Sequence, residues 1–415
     1  MRVVTGIACA AAAGCALGAL EARAANPEFQ DFFFSVCGAA SGTLATRCDE
    51  TPSGLGNLSG DSESSLNPTQ NLSHNLTPVS VAQTRSKEAR ERGEKLRDED
   101  APAAEEGVRV DAGPFSLLIN IHGTWFEREV ESEAGPERSF DGDSGAAEIG
   151  LDYRLSDRTL VGAIVGFEKF SYDFGAEAAG INFEPAVSAG DAETDNAYAT
   201  LFASWPVGSS GFVELSGGYE RGDGSYRRNS VFQESTRTLP QTDVRVSGNA
   251  DGTTTWLSAN AGFDVNRDAL SFGPYLGITR TTSKIDGYTE KDLSDSGLAM
   301  SFGRTERDSL LGHVGGRVSY ALSTGGGVWV PQLRVEYQHE FEDDPSSAAA
   351  SFALDPAETE YLFVGGEADR DAINAGLSLA VILPGGWMTF ADVSMLFGHD
   401  TFDRTRATLG LRKEF

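Results

Sequence analysis

After residue 24 the chain never strings together eighteen consecutive apolar residues, so the exported sequence holds no helix built to cross a bilayer. Basic residues are scarce: 33 Lys and Arg stand against 62 Asp and Glu, for a formal charge of −29. Binding a polyanion needs a positive surface, so nucleic acid is excluded as the expected partner. Histidine is thin, with five residues at 74, 122, 313, 339 and 399, and cysteine thinner, with four. No histidine lies beside a cysteine pair, so the spacing of a metal site is missing and no cofactor is expected. Glycine is plentiful, at 48 residues, without a collagen period. Such a composition suits a β-barrel with acidic loops, and it suits many secreted β proteins too.

The first residues read as an export leader. Arg2 supplies the positive end, Val3 to Leu20 are apolar and small, and Ala22-Arg23-Ala24 forms a cleavage site, so residues 1–24 are a signal peptide and the mature chain starts near Ala25. Two cysteines leave with it. Cys37 and Cys48 remain, and in an oxidising compartment they are expected to close a small loop as a disulfide. Residues 25–84 form a short segment with one aromatic run, Phe32-Phe33-Phe34, followed by Gly, Ser, Asn, Thr and Pro. Stretches such as Gly54 to Gly60 and Asn71-Leu72-Ser73 offer little apolar surface to offset ordering entropy, so the segment is expected to be largely disordered. Residues 85–112 follow as a charged helix or linker. Lys87–Glu91, Glu91–Lys95 and Glu94–Arg97 pair opposite charges at helical spacing. With almost no apolar face, a solvated linker and a helix lodged in a polar cavity fit the pattern equally.

From residue 113 to 415 the pattern switches to period two, the mark of strands with one apolar and one polar face. Leu117, Ile119, Ile121 and Trp125 alternate with Asn120, His122 and Thr124; Leu333, Val335 and Tyr337 alternate with Arg334, Glu336 and Gln338. About twelve such strands can be counted. Connections after even-numbered strands are short, as at Pro384-Gly385-Gly386. Those after odd-numbered strands are long and polar, at about 127–146, 173–194, 221–252, 282–306 and 342–369. Short turns at one end and long loops at the other define a transmembrane antiparallel up-and-down β-barrel of the Gram-negative outer membrane, with periplasmic turns and cell-surface loops. Trp125, Trp205, Trp329 and Trp387 have outward parity near strand ends, as an aromatic girdle requires; Trp256 alone has inward parity.

The stretch Trp329 to Phe341, the run Gly376 to Leu383, and Trp387 through the terminal Leu409-Gly410-Leu411-Arg412-Lys413-Glu414-Phe415 resemble the barrel domain of autotransporters, the type V secretion family. The resemblance implies an all-β, twelve-stranded translocator over residues 113–415. A helix before the first strand would thread the pore to a surface passenger, and residues 85–97 sit where that helix belongs. Its mixed charge suits a lumen lined by Glu148, Arg154, Glu214, Asp264, Arg317, Arg334, Glu336 and Arg406. Gly410, Leu411 and Phe415 would form the terminal signal read by the barrel-assembly machinery; Lys413 stands where that signal usually has an aromatic or apolar residue. Implied partners are periplasmic chaperones, outer-membrane lipid with lipopolysaccharide, and a host or surface ligand. The helix lacks the Asn-Asn pair that marks cleavage, so the chain is expected to stay whole. The expected activity is protein secretion and display, not catalysis. The alternative is a non-secretory adhesin or porin-like barrel whose N-terminal segment plugs the lumen.

Three strings invite other readings. Gly60-Asp61-Ser62 matches the start of a lipase motif, but Glu63 follows and the Asp-x-x-His block is missing. Gly142-Asp143-Ser144-Gly145 matches a serine-protease string, and it falls in an expected surface loop where such residues are ordinary. His122 and His313 share inward parity, as polar lining does.

Overall fold

The computed structural model describes residues 27–67, Arg85, Ala89 and 114–415, apart from 130–137, 157–158, 177–178, 181, 343, 345–346, 365–368 and 400. The leader, Asn71 to Thr77, His74 and most of the 85–112 segment lie outside the described residues.

Twelve long antiparallel strands form the body: β1 (Phe115–Arg128), β2 (Phe140–Ser156), β3 (Thr159–Phe174), β4 (Gly190–Val207), β5 (Gly211–Phe232), β6 (Thr242–Phe263), β7 (Leu270–Ile285), β8 (Thr305–Tyr320), β9 (Gly327–Glu340), β10 (Asp371–Leu383), β11 (Trp387–Phe397) and β12 (Phe402–Glu414). Each pairs with its neighbours in sequence. The sheet closes where β12 meets β1, with Ile119 opposite Leu411 and Asn120 opposite Gly410. Closure leaves no open edge, so every backbone polar group within a bilayer has a partner. Among the described residues, no helix is long and apolar enough to cross a membrane.

The alternation does the sorting. β1 reads exposed–buried through most of its length, and β11 does so throughout. Ile121, Leu151, Phe167, Leu201, Leu257, Val314, Leu377 and Leu409 all face outward and exposed, Phe167 to 72%. In water such a belt would be a large apolar patch; a bilayer covers it. Trp125, Trp329 and Trp387 are exposed on this face, and Trp205 is half-exposed. Lys413 turns its ammonium group toward the rings of Trp387 and Phe415, 5.3 and 5.6 Å away, and donates to the Gly385 carbonyl in the adjacent short turn. The charge that breaks the apolar terminal pattern is therefore spent at the boundary, beside girdle aromatics.

Two expectations need correction. The polar stretch 221–252 is mostly strand, not loop. β5 and β6 run 22 residues each, about twice the ~10 that a membrane crossing needs, and join through a short tip. Beyond the membrane neither face must be apolar, so Arg227, Arg228, Asn229 and Arg245 hide a strand pattern that the hydrogen-bond register reveals. The second concerns residues 27–67, which are ordered. They form α1 (Pro27–Cys37), α2 (Gly42–Asp49) and α3 (Gly60–Leu66), and Cys37 and Cys48 are disulfide-bonded. Alone this piece has too small a core. It borrows one from the long-loop end of the barrel: Phe29, Phe32, Phe33, Leu44, Leu58 and Leu66 pack with Phe232, Val244, Leu298, Met300, Phe352 and Phe363. Four short strands supply much of that surface, Tyr288–Thr289, Met300–Phe302, Ser347–Phe352 and Tyr361–Val364, in one sheet. Residues 27–67 are thus a cap on the long-loop end.

The polar run that suggested disorder serves the docking. Ser59 N donates to the Gln233 carbonyl and Ser235 N to the Asn57 carbonyl, both at 3.0 Å, adding a strand-like edge to the β5–β6 tip. Ser62, fully buried, donates to the Val231 carbonyl at 3.1 Å and accepts from Gln233 N at 3.0 Å. Its hydroxyl is consumed in structure, and the lipase-like string has no nucleophile to offer. Replacing Phe33, which meets Phe352 edge-on at 5.5 Å, with Ala is expected to weaken docking by about 3–5 kcal/mol. Amide exchange should then rise across 27–67 while the barrel remains heat-modifiable on a gel.

Candidate functional site: a threaded lumen beneath a docked cap

Inward parity places a charged wall inside the barrel. Glu148, Glu214, Arg317, Arg334, Glu336 and Arg406 are buried there, and Asp264 is half-buried. Arg154, near the short-turn end of β2, is half-buried as well. Arg317 pairs with Asp264 at 2.8 Å, and Glu336 accepts from Tyr275 at 3.0 Å and Gln338 at 2.7 Å. Both signs occur on several walls, as Glu336 on β9 and Arg154 on β2 show, but two clusters stand out. Glu148, Glu168, Glu214 and Glu220 lie on β2, β3 and β5, while Arg317, Arg334, Arg404, Arg406 and Arg412 lie on β8, β9 and β12.

Arg85 sits against the acidic wall. It and Ala89, four residues on in sequence, are both helical and both buried. Nη2 of Arg85 is 2.7 Å from Glu168 Oε2 and 2.7 Å from Glu220 Oε2. The guanidinium lies 3.3 Å from the Tyr198 ring centroid and 5.9 Å from that of Trp256. Ala89 packs in a cluster with Ile164, Tyr198, Phe202 and Trp256. Behind these, Ser144 holds Glu168 at 2.7 Å, Asn196 holds Glu220 at 2.9 Å, and Tyr198 reaches Glu148 at 3.1 Å. Buried charges are tolerable because each is paired; deleting one partner of such a group costs about 3–5 kcal/mol. Of the two open readings of the 85–97 segment, Arg85 and Ala89 fit the lodged helix. The inward parity of Trp256 was the visible signal of this contact.

Above Arg85, along β1, β2, β3 and β12, the lumen wall turns aromatic. Phe126, Phe140, Phe170, Tyr172, Phe174 and Phe402 form an aromatic collar with ring centroids 5.3–6.4 Å apart in contacting pairs. On β3 the order from the outer end is Phe174, Tyr172, Phe170, then Glu168. The collar therefore lies between the cap and the Arg85 box.

The catalytic strings come apart. Gly142 to Gly145 lie within β2, not in a loop, and Ser144 faces the lumen to bond Glu168. His122 on β1 and His313 on β8 stand on opposite walls, and His313 meets Asn260 at 2.8 Å. No group of three or more His, Cys, Asp or Glu with metal-binding geometry occurs among the described residues.

At the tip of the β5–β6 hairpin, burial alone would raise the Glu234 carboxyl, but hydrogen bonds from Thr236, Thr238 and Leu239 hold it down at about 2. A depressed carboxylate contributes stability above the ordinary value of 4.5 that is lost as pH falls toward 2. Amide exchange at Thr236, Thr238 and Leu239 should accelerate across that window, and Glu234→Gln should abolish the pH dependence.

A closed barrel with an apolar belt, aromatic boundary and charged interior that holds Arg85 and Ala89 is a transmembrane barrel of the outer-membrane class. A family model, the autotransporter β-domain, matches residues 119–394. The chain belongs to that family, and its barrel is an outer-membrane autotransporter β-domain. The structure is similar to the translocator domain of autotransporter NalP from Neisseria meningitidis, at 17% identity over 81% of this chain and 99% of that one, with a TM-score of 0.54. It is also similar to the β-domain of the Bordetella autotransporter BrkA, at 15% identity over 73% and 100%, TM-score 0.46. The transport unit of AIDA-I from Escherichia coli is a third, at 11% identity over 77% and 97%, TM-score 0.47. The likeness to NalP shows the fold. No curated protein matches the chain.

Proposed function

We propose that this barrel carries residues 27–67 to the cell surface and keeps them there, uncleaved, as a disulfide-clasped cap, with the helix bearing Arg85 left in the lumen. One observation carries the reading: the cap shares a single core with the long loops, while Arg85, downstream of it, is bonded inside the barrel. β1 starts at the short-turn end, as a chain passing from cap through lumen to wall would require. The apolar belt and girdle would meet outer-membrane lipid and lipopolysaccharide. Periplasmic chaperones would hold the exported chain, with the leader removed near Ala24, and the assembly machinery would read Gly410, Leu411 and Phe415. The cap and loops would present the surface for any host ligand. The test places a cysteine at exposed Asp31 and treats intact cells with a membrane-impermeant maleimide. Labelling of intact cells is expected. Labelling that appears only after lysis sinks the display reading.

A further inference from the structure

Arg85 is held by chemistry suited to one functional group. A single guanidinium nitrogen bridges two carboxylates, at 2.7 Å from Glu168 Oε2 and 2.7 Å from Glu220 Oε2. The guanidinium carbon stands 3.3 Å from the centre of the Tyr198 ring, a stacking separation, and Trp256 closes another side at 5.9 Å. Both carboxylates are fixed before any cation arrives, since Ser144 donates to Glu168 and Asn196 donates to Glu220. A preorganised pair of acceptors beside a flat aromatic face suits a planar, weakly hydrated cation. An ammonium is compact and strongly hydrated, and it gains no stacking.

Every one of these wall residues comes from β2 to β6, and none from the segment that carries Arg85. The box therefore belongs to the barrel. We propose that Glu168, Glu220, Tyr198 and Trp256 form a guanidinium-binding site in the lumen. Arg85 is its resident ligand, and a free alkylguanidinium or another arginine side chain takes its place when Arg85 is absent. The consequence is positional: the site catches one arginine of the passing chain and so fixes how much of the N-terminus stands beyond the lumen. The proposal holds whichever side of the membrane the cap faces, so its failure and the failure of the display reading are separable.

The experiment uses the full-length chain with Arg85→Ala, following the temperature at which heat-modifiable migration is lost. The midpoint should fall, and millimolar ethylguanidinium should raise it by several degrees. Ethylammonium at the same ionic strength should do nothing. Ethylguanidinium should also do nothing to the wild type, whose site is filled, or to the Arg85→Ala chain carrying Glu168→Gln and Glu220→Gln. Equal rescue by the two cations overturns the proposal. So does the lack of any rescue at concentrations that leave the wild type intact. Should Arg85→Ala fail to assemble, Arg85→Lys decides: a midpoint below wild type is expected, and a midpoint equal to it overturns guanidinium specificity.

Discussion

A Gly410→Val chain is expected to be exported but not to reach the folded, heat-modifiable state. Gly410 lies on β12, the strand that closes the barrel, opposite Phe390 on β11 and Asn120 on β1. A side-chain carbon there would stand 2.1 Å from the Phe390 ring and 2.4 Å from Asn120 Oδ1. Neither neighbour is free to retreat. Phe390 is buried over the glycine, and Asn120 donates to Glu148 at 2.5 Å. Overpacking a well-filled site costs about 1–3 kcal/mol, and more where the backbone has to move. Here the backbone is the closing seam, so the strain opposes the last pairing step. Leu409→Val is the control, because Leu409 faces the lipid and its replacement meets nothing rigid. The fraction of folded barrel after refolding in detergent measures both. Folding of Gly410→Val at the wild-type level would contradict the packing described.

Deleting residues 25–97 should convert a quiet barrel into one that conducts in discrete steps across a planar bilayer. The deletion removes Arg85 and Ala89 from the lumen and the cap from its mouth, leaving Glu148, Glu168 and Glu220 facing water. Removing the cap alone, residues 27–67, leaves Arg85 bound to Glu168 and Glu220 and should raise conductance far less. A barrel as quiet after the larger deletion as before it would mean that something other than the threaded segment closes the pore.

Much of this architecture is legible in the sequence because the bilayer imposes a simple rule. Each membrane strand must alternate, so Leu117 to Trp125 and Trp387 to Phe397 announce themselves, and the turn lengths show which end faces which side. That rule stops at the membrane surface. β5 and β6 continue past it, and Tyr226, Arg228 and Ser230 lack the apolar partner face that would mark them as strand. The cap escaped for a related reason. Ser59, Ser62 and Ser65 look like linker until Val231 and Gln233 are placed beside them, and no local pattern links residues so far apart. Inward parity predicted where Glu148 and Arg406 point. It did not predict that Glu168 and Glu220 converge on Arg85, because parity assigns a face and not a height. The aromatic collar was visible in principle, since Phe126, Phe170, Tyr172 and Phe174 all carry inward parity.

On this reading the segment upstream of β1 threads the finished barrel. Ala89 and Ile164 share one buried cluster, so Ala89→Cys with Ile164→Cys tests it directly with a short bifunctional maleimide on the folded protein. Cys37 and Cys48 are paired with each other and do not compete. A threaded segment gives an internal cross-link in the folded state that changes migration after boiling. Two separately modified cysteines and no cross-link in the folded barrel would contradict it.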